Sequence, residues 1–319
     1  MDILLSTDDN YVMPTGVLMM SVSENNKNVN YHILVGENFS EDKKDRLIQI
    51  AEQHKNGISF YQINAEFKDE FPFGKENQAH RVSYATYYRL LITELLPKDI
   101  NKIIYLDGDM VVRGSLNSLW NTDISGYAVG VVYDMDEMKH CTSQRLPYPM
   151  DSGYFNAGVM LINFDYWRKH KCLERFISFA KSNWEILHFH DQDILNGVLY
   201  DEKKWLPITY NFQNGFIYKY NNKGYREELE AEIHRTMYNP LIVHFSSPDK
   251  PWLIESFHPY CTEWRHYWRM TKWGNDPLDG ENAQSVKQKI RNYFVKRGWY
   301  IPGTHYYRDL YPWWKRFKL

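Results

Sequence analysis

The sequence has few cysteines and no long hydrophobic run. Its three cysteines, Cys141, Cys172 and Cys261, are far apart, and none has a partner at the short spacing of a thiolate metal site. This pattern excludes the disulfide-rich class of small secreted proteins and is typical of a reducing compartment. No stretch of about 18 consecutive apolar residues occurs, so we expect no membrane-spanning helix.

The amino terminus lacks the pattern of a secretion signal. An apolar stretch begins at Ile3, directly after Met1 and Asp2, without the basic and long hydrophobic segments that such signals contain. The chain also has no internal repeat and no low-complexity segment. We therefore expect a cytoplasmic globular protein.

The chain is rich in apolar and aromatic residues. Apolar residues make up 43% of its 319 residues, which suffices for one large α/β domain with appendages or for two smaller domains. Aromatic residues reach 16%, and such rings stack on sugars and nucleobases or lie at membrane interfaces as well as filling cores. Composition alone does not choose among these roles.

Positive charge is concentrated at the carboxyl end. Residues 286–319 hold nine Lys and Arg but a single acid, Asp309, so the net charge of −2 hides a local balance of +8. The same segment contains Trp299, Trp313 and Trp314. Basic residues mixed with interfacial aromatic rings favour an anionic membrane surface. Nucleic-acid binding and a solvated helix with exposed charges are the alternatives.

Short apolar runs alternate with helical patterns through most of the chain. The predicted strands cover residues 3–6, 31–35, 58–63, 103–106, 128–132, 158–162 and 241–243. The predicted helices cover residues 12–22, a segment after Ser40, and residues 84–96, 172–186 and 191–199. This alternation is typical of a largely parallel sheet with helices on both faces, in which ligands bind where the carboxyl ends of strands meet.

The most informative motif is Asp107-Gly108-Asp109, which directly follows the apolar run at 103–106. In an extended chain, residues i and i+2 point to the same face, so the two carboxylates can converge. Two adjacent carboxylates repel each other unless a cation lies between them, and their oxygen atoms suit Mg²⁺ or Mn²⁺. Gly108 leaves room for a ligand near the backbone. The alternative is an Asp-Gly turn that closes a hairpin.

Other polar residues follow predicted strands in the same way. His244 follows the run at 241–243 and can supply a nitrogen ligand to a cation such as Mn²⁺, while Lys250 can reach a diphosphate. Asp8 and Asn10 follow the first strand, where an acid and an amide could receive a base and a ribose. Taken alone, each has an ordinary structural explanation, since Asp and Asn are common in loops and a histidine after a strand is more often structural.

Two further segments concentrate small polar groups. Asn156 lies at the mouth of the predicted strand at 158–162, and residues 190–196 place Asp191 and Gln192 at a helix start. The alternative for the second segment is an N-cap with acidic first-turn residues, which needs no chemistry.

Taken together and in this order, these segments resemble glycosyltransferase family 8, and within it the bacterial branch that adds galactose or glucose to lipopolysaccharide or lipooligosaccharide. The matching blocks span residues 2–252 and are far more specific together than any one alone. They are Ser-Thr-Asp-Asp-Asn-Tyr (6–11), Tyr-Arg-Leu (88–90), Tyr-Leu-Asp-Gly-Asp (105–109), Phe-Asn-Ala-Gly-Val (155–159), Asp-Gln-Asp-Ile-Leu-Asn (191–196) and His-Phe-Ser-Ser-Pro-Asp-Lys-Pro-Trp (244–252). The basic, aromatic carboxyl end is also similar to the membrane-associating tail of that branch.

The resemblance implies a fold and an activity. Residues 1–252 would form an α/β domain of the GT-A type, a Rossmann-like, mixed but mostly parallel sheet flanked by helices, and residues 253–319 a basic, aromatic and helical membrane-associating region. The activity would be retaining transfer of galactose or glucose from a UDP-sugar to a glycan or glycolipid acceptor such as lipopolysaccharide, with Mn²⁺ as cofactor or Mg²⁺ as its substitute. We expect the protein to be peripheral on the inner face of the cytoplasmic membrane and to have no nucleic-acid partner.

The resemblance also implies residue roles. Asp107, Asp109 and His244 would bind the metal. The donor and nucleotide site would comprise Asp8, Asn10, Arg89, Asp107, Gly108, Asp109, Asn156, Asp191, Gln192, His244, Ser247 and Lys250. The candidate catalytic residues are Gln192, Asp191 and Lys250, with Lys250 on the diphosphate, and Asp134 would lie on the sugar or acceptor side. Ser246 and Ser247 stand where we expect Cys-Gly in the galactosyltransferase branch, so the contacts of this loop are expected to differ in detail.

Retention of configuration allows two routes. Double displacement needs a nucleophile, for which the neutral amide of Gln192 is poor and the carboxylate of Asp191 or Asp193 is chemically better. In the other route the acceptor attacks the face that UDP leaves, and the departing phosphate takes its proton. We favour this front-face route.

Two other functions compete with transfer. A catalytically silent nucleotide-sugar or glycan-binding protein would keep the same fold, although the presence of Asp107, Asp109, His244 and Lys250 argues against it. A metal-dependent nucleotidyltransferase also uses paired carboxylates, but the sequence has no Gly-rich, basic triphosphate loop. The sequence does not choose between galactose and glucose.

Overall fold

Ten strands form two sheets within the part of the chain that a computed structural model describes, namely residues 1–63, 84–135, 145–217, 227–256 and 258–280. The strands are β1 (Asp2–Ser6), β2 (Asn30–Gly36), β3 (Gly57–Ile63), β4 (Lys102–Leu106), β5 (Met110–Val112), β6 (Val129–Tyr133), β7 (Phe155–Asn163), β8 (Lys203–Trp205), β9 (Phe212–Gln213) and β10 (Ile242–His244). Together with the helices they confirm the expected α/β class.

The larger sheet has the strand order β3-β2-β1-β4-β7-β6-β8. Its first four strands are parallel, with Leu4 of β1 opposite His32 on one side and Tyr105 on the other. Strands β1, β2 and β4 are buried on both faces, which explains their continuous apolar runs. Strand β7 is antiparallel to both β4 and β6, whereas β8 is parallel to β6, so the sheet is mixed but mostly parallel.

The smaller sheet holds the chain that follows the Asp-Gly-Asp motif. Strand β5 begins directly after the motif and pairs antiparallel with β10, which in turn pairs parallel with β9. Met110 lies opposite His244 in this pairing. The smaller sheet therefore brings the end of β10 beside the motif.

Helices pack on both faces of the larger sheet. They are α1 (Val12–Asn25), α2 (Glu41–Gln53), α3 (Ile92–Leu95), α4 (Asn117–Trp120), α5 (Phe164–Lys169), α6 (Cys172–Asn183), α7 (His190–Leu199), α8 (Asn214–Ile217), α9 (Glu227–Thr236) and α10 (Cys261–Met270). Alternate residues of β1 enter two separate cores: Ile3 and Leu5 share one with α1 and α2, and Leu4 shares the other with α6 and α7. In the described ranges, no helix combines the length and the apolar character needed to cross a bilayer.

Some elements differ from the sequence-based expectation. The helix predicted over residues 84–96 is a 3₁₀ helix at Tyr84–Leu90 followed by the short α3. Residues 87–92 are buried in succession, so this segment lacks the exposed face of an amphipathic α-helix. The helix predicted over residues 172–186 ends as α6 at Asn183 and continues as a 3₁₀ turn. The short strands β5, β8 and β9 were not predicted, since pairing with distant segments defines them.

Residues 258–280 pack against α1. Trp273 approaches this helix so closely that a Cβ on Gly16 would lie 2.4 Å from its ring. Trp264 of α10 is fully buried, with its ring centroid 5.7 Å from that of Trp252. The division into residues 1–252 and 253–319 stays a prediction, and the basic segment at 286–319 lies outside the described residues.

Candidate active site

Three strands, β4, β7 and β10, meet around the Asp-Gly-Asp motif. Asp107 follows β4, and its backbone N–H donates to the carbonyl of Gly158 in β7 at 2.9 Å. His244 ends β10, and the N–H of the following Phe245 donates to the carbonyl of Asp109, also at 2.9 Å. Because β4 and β5 belong to different sheets, the motif is the end of a buried strand and not the turn of a hairpin.

Asp107, Asp109 and His244 bring three potential metal ligands together. One donor atom from each lies within 4.8 Å of the other two. The Nε2 atom of His244 is 3.3 Å from Oδ1 of Asp109 and 3.9 Å from Oδ2 of Asp107. Two carboxylate oxygens and an imidazole nitrogen are a donor set that suits Mn²⁺, so the residues present fit a divalent cation.

A hydrogen bond orients the imidazole of His244. Its Nδ1 lies 3.0 Å from Oδ1 of Asn211, and Nδ1 carries the proton because an amide oxygen only accepts. The Nδ2 group of Asn211 donates to Oδ1 of Asn156 at 2.8 Å, which fixes the orientation of the amide. With Nδ1 turned to Asn211, Nε2 is the ring nitrogen that faces the two carboxylates, as a metal ligand must.

Lys250 pairs with Asp109. Its Nζ lies 2.6 Å from Oδ2 of Asp109 and donates to the carbonyl of Phe245 at the same distance. Burial acts to raise the pKa of Asp109, but Lys250 and His244 outweigh it and hold that pKa well below its usual range. Asp109 is therefore ionised at neutral pH, the form that binds a metal.

Arg89 connects Asp107 with Asp191. Its Nη2 is 3.0 Å from Oδ1 of Asp107, its Nε forms an ion pair with Oδ2 of Asp191 at 2.9 Å, and its Nη1 donates to the carbonyl of Ala157. The guanidinium lies 4.4 Å from the ring centroid of Tyr105, whose hydroxyl donates to Asp107. Burial raises the pKa of Asp191 to about 7, although Arg89 opposes this change.

Asp134, Asn156 and Gln192 form a second hydrogen-bonded group. Oδ2 of Asp134 accepts from Nδ2 of Asn156 at 3.0 Å and from Nε2 of Gln192 at 3.2 Å. The amide of Gln192 also donates to the hydroxyl of Tyr154 and accepts from the N–H of Ala157 at 2.9 Å. Asp134 therefore lies with the residues expected near the donor sugar, and the amide of Gln192 is held in place at both ends.

The carboxylate of Asp193 is fully buried beside this group and shares the hydroxyl of Tyr154 with Gln192. Its oxygens accept hydrogen bonds from the side chains of Arg145 and Tyr154 and from the backbone N–H groups of His188 and Phe189. These contacts stabilise the entry into α7 and occupy both oxygens of a carboxylate that has no exposed surface, which disfavours Asp193 as a nucleophile.

Asp8, Asn10 and Ser247 have other contacts. Oδ1 of Asp8 accepts from the N–H groups of Asn10 and Tyr11 at 2.9 Å each, and thereby stabilises the turn that leads into α1. Asn10 is exposed. The hydroxyl of Ser247 accepts from Nδ2 of Asn214 at 2.8 Å. The nucleotide contacts expected for these three residues stay predictions.

Two glycines allow close packing around the candidate site. A Cβ on Gly108 would lie 2.6 Å from the hydroxyl of Thr15, so its absence is explained by the packing of α1 and needs no ligand. A Cβ on Gly158 would lie 2.5 Å from Cε1 of His244 and 2.9 Å from Oδ2 of Asp107. Gly158 is therefore what permits two of the potential metal ligands to approach β7.

Sequence reasoning missed Asn211 and the role of Gly158. Asn211 precedes a strand of only two residues, and a single asparagine in a loop carries no periodic signal. Gly158 was the first residue of the predicted strand at 158–162, and it lies in the interior of the observed β7, where a glycine indicates close approach of another group. That signal was present in the sequence, but the approaching group was not identifiable.

Comparison with known proteins identifies similar chains. The model of the family described as Glycosyl transferase family 8 matches residues 2–255. General stress protein A of Bacillus subtilis (strain 168) is 30% identical over 280 residues, which cover 86% of this chain and 94% of that protein. Lipopolysaccharide 1,2-glucosyltransferase of Escherichia coli (strain K12) is 25% identical over 311 residues, which cover 95% of this chain and 88% of that protein.

A solved structure shows the same architecture. The crystal structure of galactosyltransferase LgtC in complex with donor and acceptor sugar analogs matches with a TM-score of 0.75 and 25% sequence identity. The match covers 89% of this chain and all of that one. It confirms the fold that was expected from the sequence.

Proposed function

Because this chain belongs to glycosyltransferase family 8 and has the GT-A fold, we propose that it is a retaining hexosyltransferase that moves galactose or glucose from a UDP-sugar to a glycan acceptor with Mn²⁺. Glycosyl transfer itself follows from the family. The proposed acceptor is lipopolysaccharide or another cell-surface glycan, since the relative from Escherichia coli is named as a lipopolysaccharide glucosyltransferase.

One observation supports the donor and metal assignment above all others. The ligand atoms of Asp107, Asp109 and His244 converge, with the cationic side chains of Lys250 and Arg89 directly beside them. Such a site suits a substrate in which a diphosphate adjoins a sugar. A divalent cation bound there would supply Lewis-acid stabilisation of the negative charge on departing UDP.

Lys250 adds a positive charge where the diphosphate leaves. An ammonium has three N–H donors, and Asp109 and the carbonyl of Phe245 accept two of those of Lys250. Once the diphosphate is bound, we assign the ammonium to a phosphate oxygen, where preorganised charge stabilises the developing anion. Because diphosphate is already a good leaving group, no general acid is required.

We assign the donor sugar to the group formed by Asp134, Asn156, Asp191 and Gln192. The first two and Gln192 are linked by hydrogen bonds, and Arg89 holds Asp191, so the group is positioned before a sugar arrives. Carboxylates and amides suit the hydroxyl groups of a hexose. Both donors stay in the proposal, since one similar protein is named a glucosyltransferase and another a galactosyltransferase.

The surroundings of the acids favour front-face transfer over double displacement. Asp193 is sequestered by protein groups, Asp191 is paired with Arg89, and both ends of the Gln192 amide already make hydrogen bonds. In the front-face route, the bond from the anomeric carbon to UDP breaks as the bond to the acceptor oxygen forms on the same face. The departing phosphate takes the proton of the acceptor hydroxyl.

A donor screen tests this proposal. With Mn²⁺, the full-length protein should slowly release UDP from UDP-galactose or UDP-glucose even without an acceptor, and a chelator should stop the release. Once an acceptor is found, NMR of the product should show the anomeric configuration of the donor. Chelator-resistant release would contradict the metal assignment, and an inverted anomer would contradict retention.

The alternative is a catalytically silent protein that binds nucleotide sugars or glycans. The complete set of Asp107, Asp109, His244 and Lys250, already drawn together by ion pairs, disfavours it. Tight UDP binding without turnover across the same donors and a panel of acceptors would favour it.

We also propose that the protein works at the inner face of the cytoplasmic membrane. The support is the charge of residues 286–319, whose balance of +8 and three tryptophans suit anionic lipid headgroups. The proposed membrane-associating region is residues 253–319.

A further inference from the structure

The two oxygens of the Asp109 carboxylate face different partners, namely the candidate metal ligand His244 and the cationic side chain of Lys250. Oδ1 faces Nε2 of His244 at 3.3 Å, whereas Oδ2 lies 2.6 Å from the ammonium of Lys250. Asp109 is 7% exposed, so little solvent screens either contact. Lys250 therefore neutralises much of the charge that would attract a cation to this side chain.

The two cations at the motif differ in how they are balanced. Arg89 lies between Asp107 and Asp191 and is matched by both. Within the described ranges, Lys250 has Asp109 as its carboxylate partner, and its other contacts, the carbonyl of Phe245 and the ring of Trp252 at 5.8 Å, are neutral. A divalent cation entering beside Asp109 would thus leave the Lys250 ammonium without a full counter-charge, and the two cations would repel each other.

A diphosphate supplies the missing counter-charge. The Lys250 side chain is partly exposed, and its four methylene groups are joined by rotatable bonds. The ammonium can therefore turn from Asp109 to a phosphate without movement of the backbone that carries Lys250. Asp109 is then available to the metal, and the metal and Lys250 face the same anion.

We propose that Lys250 makes the binding of metal and nucleotide interdependent: as the counter-ion of Asp109 it weakens the binding of a divalent cation to the protein alone, and the diphosphate of UDP removes this competition. The inference rests on the proposed metal and UDP site and adds a binding order to it. By linkage, the metal must strengthen UDP binding by the same factor.

Titration with Mn²⁺, followed by the EPR signal of the free ion, tests this inference without any turnover. In the wild type, saturating UDP should tighten Mn²⁺ binding by about tenfold or more. Lys250→Met keeps the length of the side chain and removes its charge, so it should bind Mn²⁺ alone about tenfold more tightly than the wild type. The same variant should bind UDP more weakly, and UDP should improve its Mn²⁺ binding far less.

Two controls separate charge from other effects. Lys250→Arg keeps the charge and should keep the weak Mn²⁺ binding of the wild type. Lys98→Met removes an exposed lysine and should change nothing. Should Lys250→Met fail to fold, Lys250→Gln makes the same test.

The possible results are distinct. A folded Lys250→Met or Lys250→Gln protein that binds Mn²⁺ alone no better than the wild type overturns the inference and leaves the proposed metal site intact. A wild type that binds no Mn²⁺ even with UDP overturns the proposed site itself, and the inference with it.

Discussion

Gly158 and Asn211 contribute no metal ligand, yet both determine where His244 lies. Asn211 holds Nδ1 of the imidazole, and Gly158 leaves the space that its Cε1 occupies. Groups behind the ligands commonly change metal affinity by about 10–100-fold, so these two residues are as much a part of the site as the acids.

Gly158→Ala should therefore damage the site more than the fold. The new methyl group would collide with His244 and Asp107, neither of which can move without breaking its own hydrogen bonds. We expect Mn²⁺-dependent UDP release to fall by about 100-fold, with a loss in the free energy of unfolding of about 1–3 kcal/mol, as is usual for overpacking.

Gly130→Ala is the matched control in the same sheet. The atoms nearest to its methyl group would be those of the flexible side chain of Leu206, at 3.3–3.4 Å. Activity of this variant should stay near that of the wild type. Equal activity of the two alanine variants, measured by UDP release, would refute the role given to Gly158.

Among the elements, the strands that run through the core could be predicted from the sequence, whereas the short strands that form only by pairing with a neighbouring strand could not. The apolar runs of β1, β2, β4 and β10 are visible locally because both faces are buried. The strands β8 and β9 exist only because β6 and β10 lie beside them, and the antiparallel direction of β7 is a property of its connections.

The same division applies to the site. Asp107, Asp109 and His244 were found because acids or a histidine directly after an apolar run indicate a strand end. Asn211 could not be found, since its importance arises from contacts with residues 33 and 55 positions away in the chain. Asp193 pairs with Arg145 and Tyr154 whereas Asp191 pairs with Arg89, and this difference is likewise a tertiary effect.

Helix α10 supports the loop that carries Lys250. The guanidinium of Arg265 donates to the carbonyl of Pro251 at 3.1 Å and to that of Leu253 at 2.7 Å. The thiol of Cys261 reaches the same Pro251 carbonyl. We infer that Arg265 is a positioning residue, which acts on the donor through the loop and does not touch it.

Arg265→Met should raise the KM for the UDP-sugar by about three- to tenfold and change kcat less, because losing hydrogen bonds from a charged donor costs about 1–3 kcal/mol of loop positioning. Arg269→Met removes an exposed arginine of the same helix and is the control. Steady-state kinetics and thermal unfolding should be measured together. A lower Tm with an unchanged KM would mean that Arg265 is merely structural.

At the scale of the whole molecule, His258 makes the free energy of unfolding depend on pH. The side chain is fully buried against Phe245, and its Nδ1 accepts from the N–H of Tyr260 at 3.2 Å. Burial, aided by Lys250, lowers the pKa of His258 from 6.5 to about 3. As the pH falls below 6.5, His258 becomes protonated in the unfolded chain but stays neutral in the folded chain. Protonation therefore stabilises the unfolded state, so the contribution of His258 to the free energy of unfolding is complete above pH 6.5 and declines as the pH falls.

His258→Phe should flatten that decline. Below pH 6.5, the free energy of unfolding of the wild type should fall by up to about 1.4 kcal/mol more per pH unit than that of the variant. Denaturant unfolding at several pH values measures both slopes, and the comparison cancels Asp191, whose raised pKa acts with the opposite sign. His266→Phe, at an exposed site, should keep the wild-type slope. Parallel curves for wild type and His258→Phe would contradict this prediction.

Deletion of residues 286–319 tests the membrane assignment. Each Lys or Arg near an anionic surface contributes about 1 kcal/mol, so the deletion should abolish co-sedimentation with vesicles that contain anionic lipid. Release of UDP from the donor should be unaffected. Vesicles of phosphatidylcholine alone are the control for charge, and equal sedimentation of the two proteins with anionic vesicles would refute the assignment.

The central claim is that Asp107, Asp109 and His244 hold the metal for transfer from a UDP-sugar. Its most direct test is Mn²⁺-dependent UDP release by Asp109→Asn, which keeps the size of the side chain and removes the charge. Asp201→Asn, at an exposed site, is the matched control. We predict a loss of at least about 100-fold in Asp109→Asn and none in Asp201→Asn, because Lewis-acid stabilisation is worth several kcal/mol. Undiminished release by Asp109→Asn would contradict the claim.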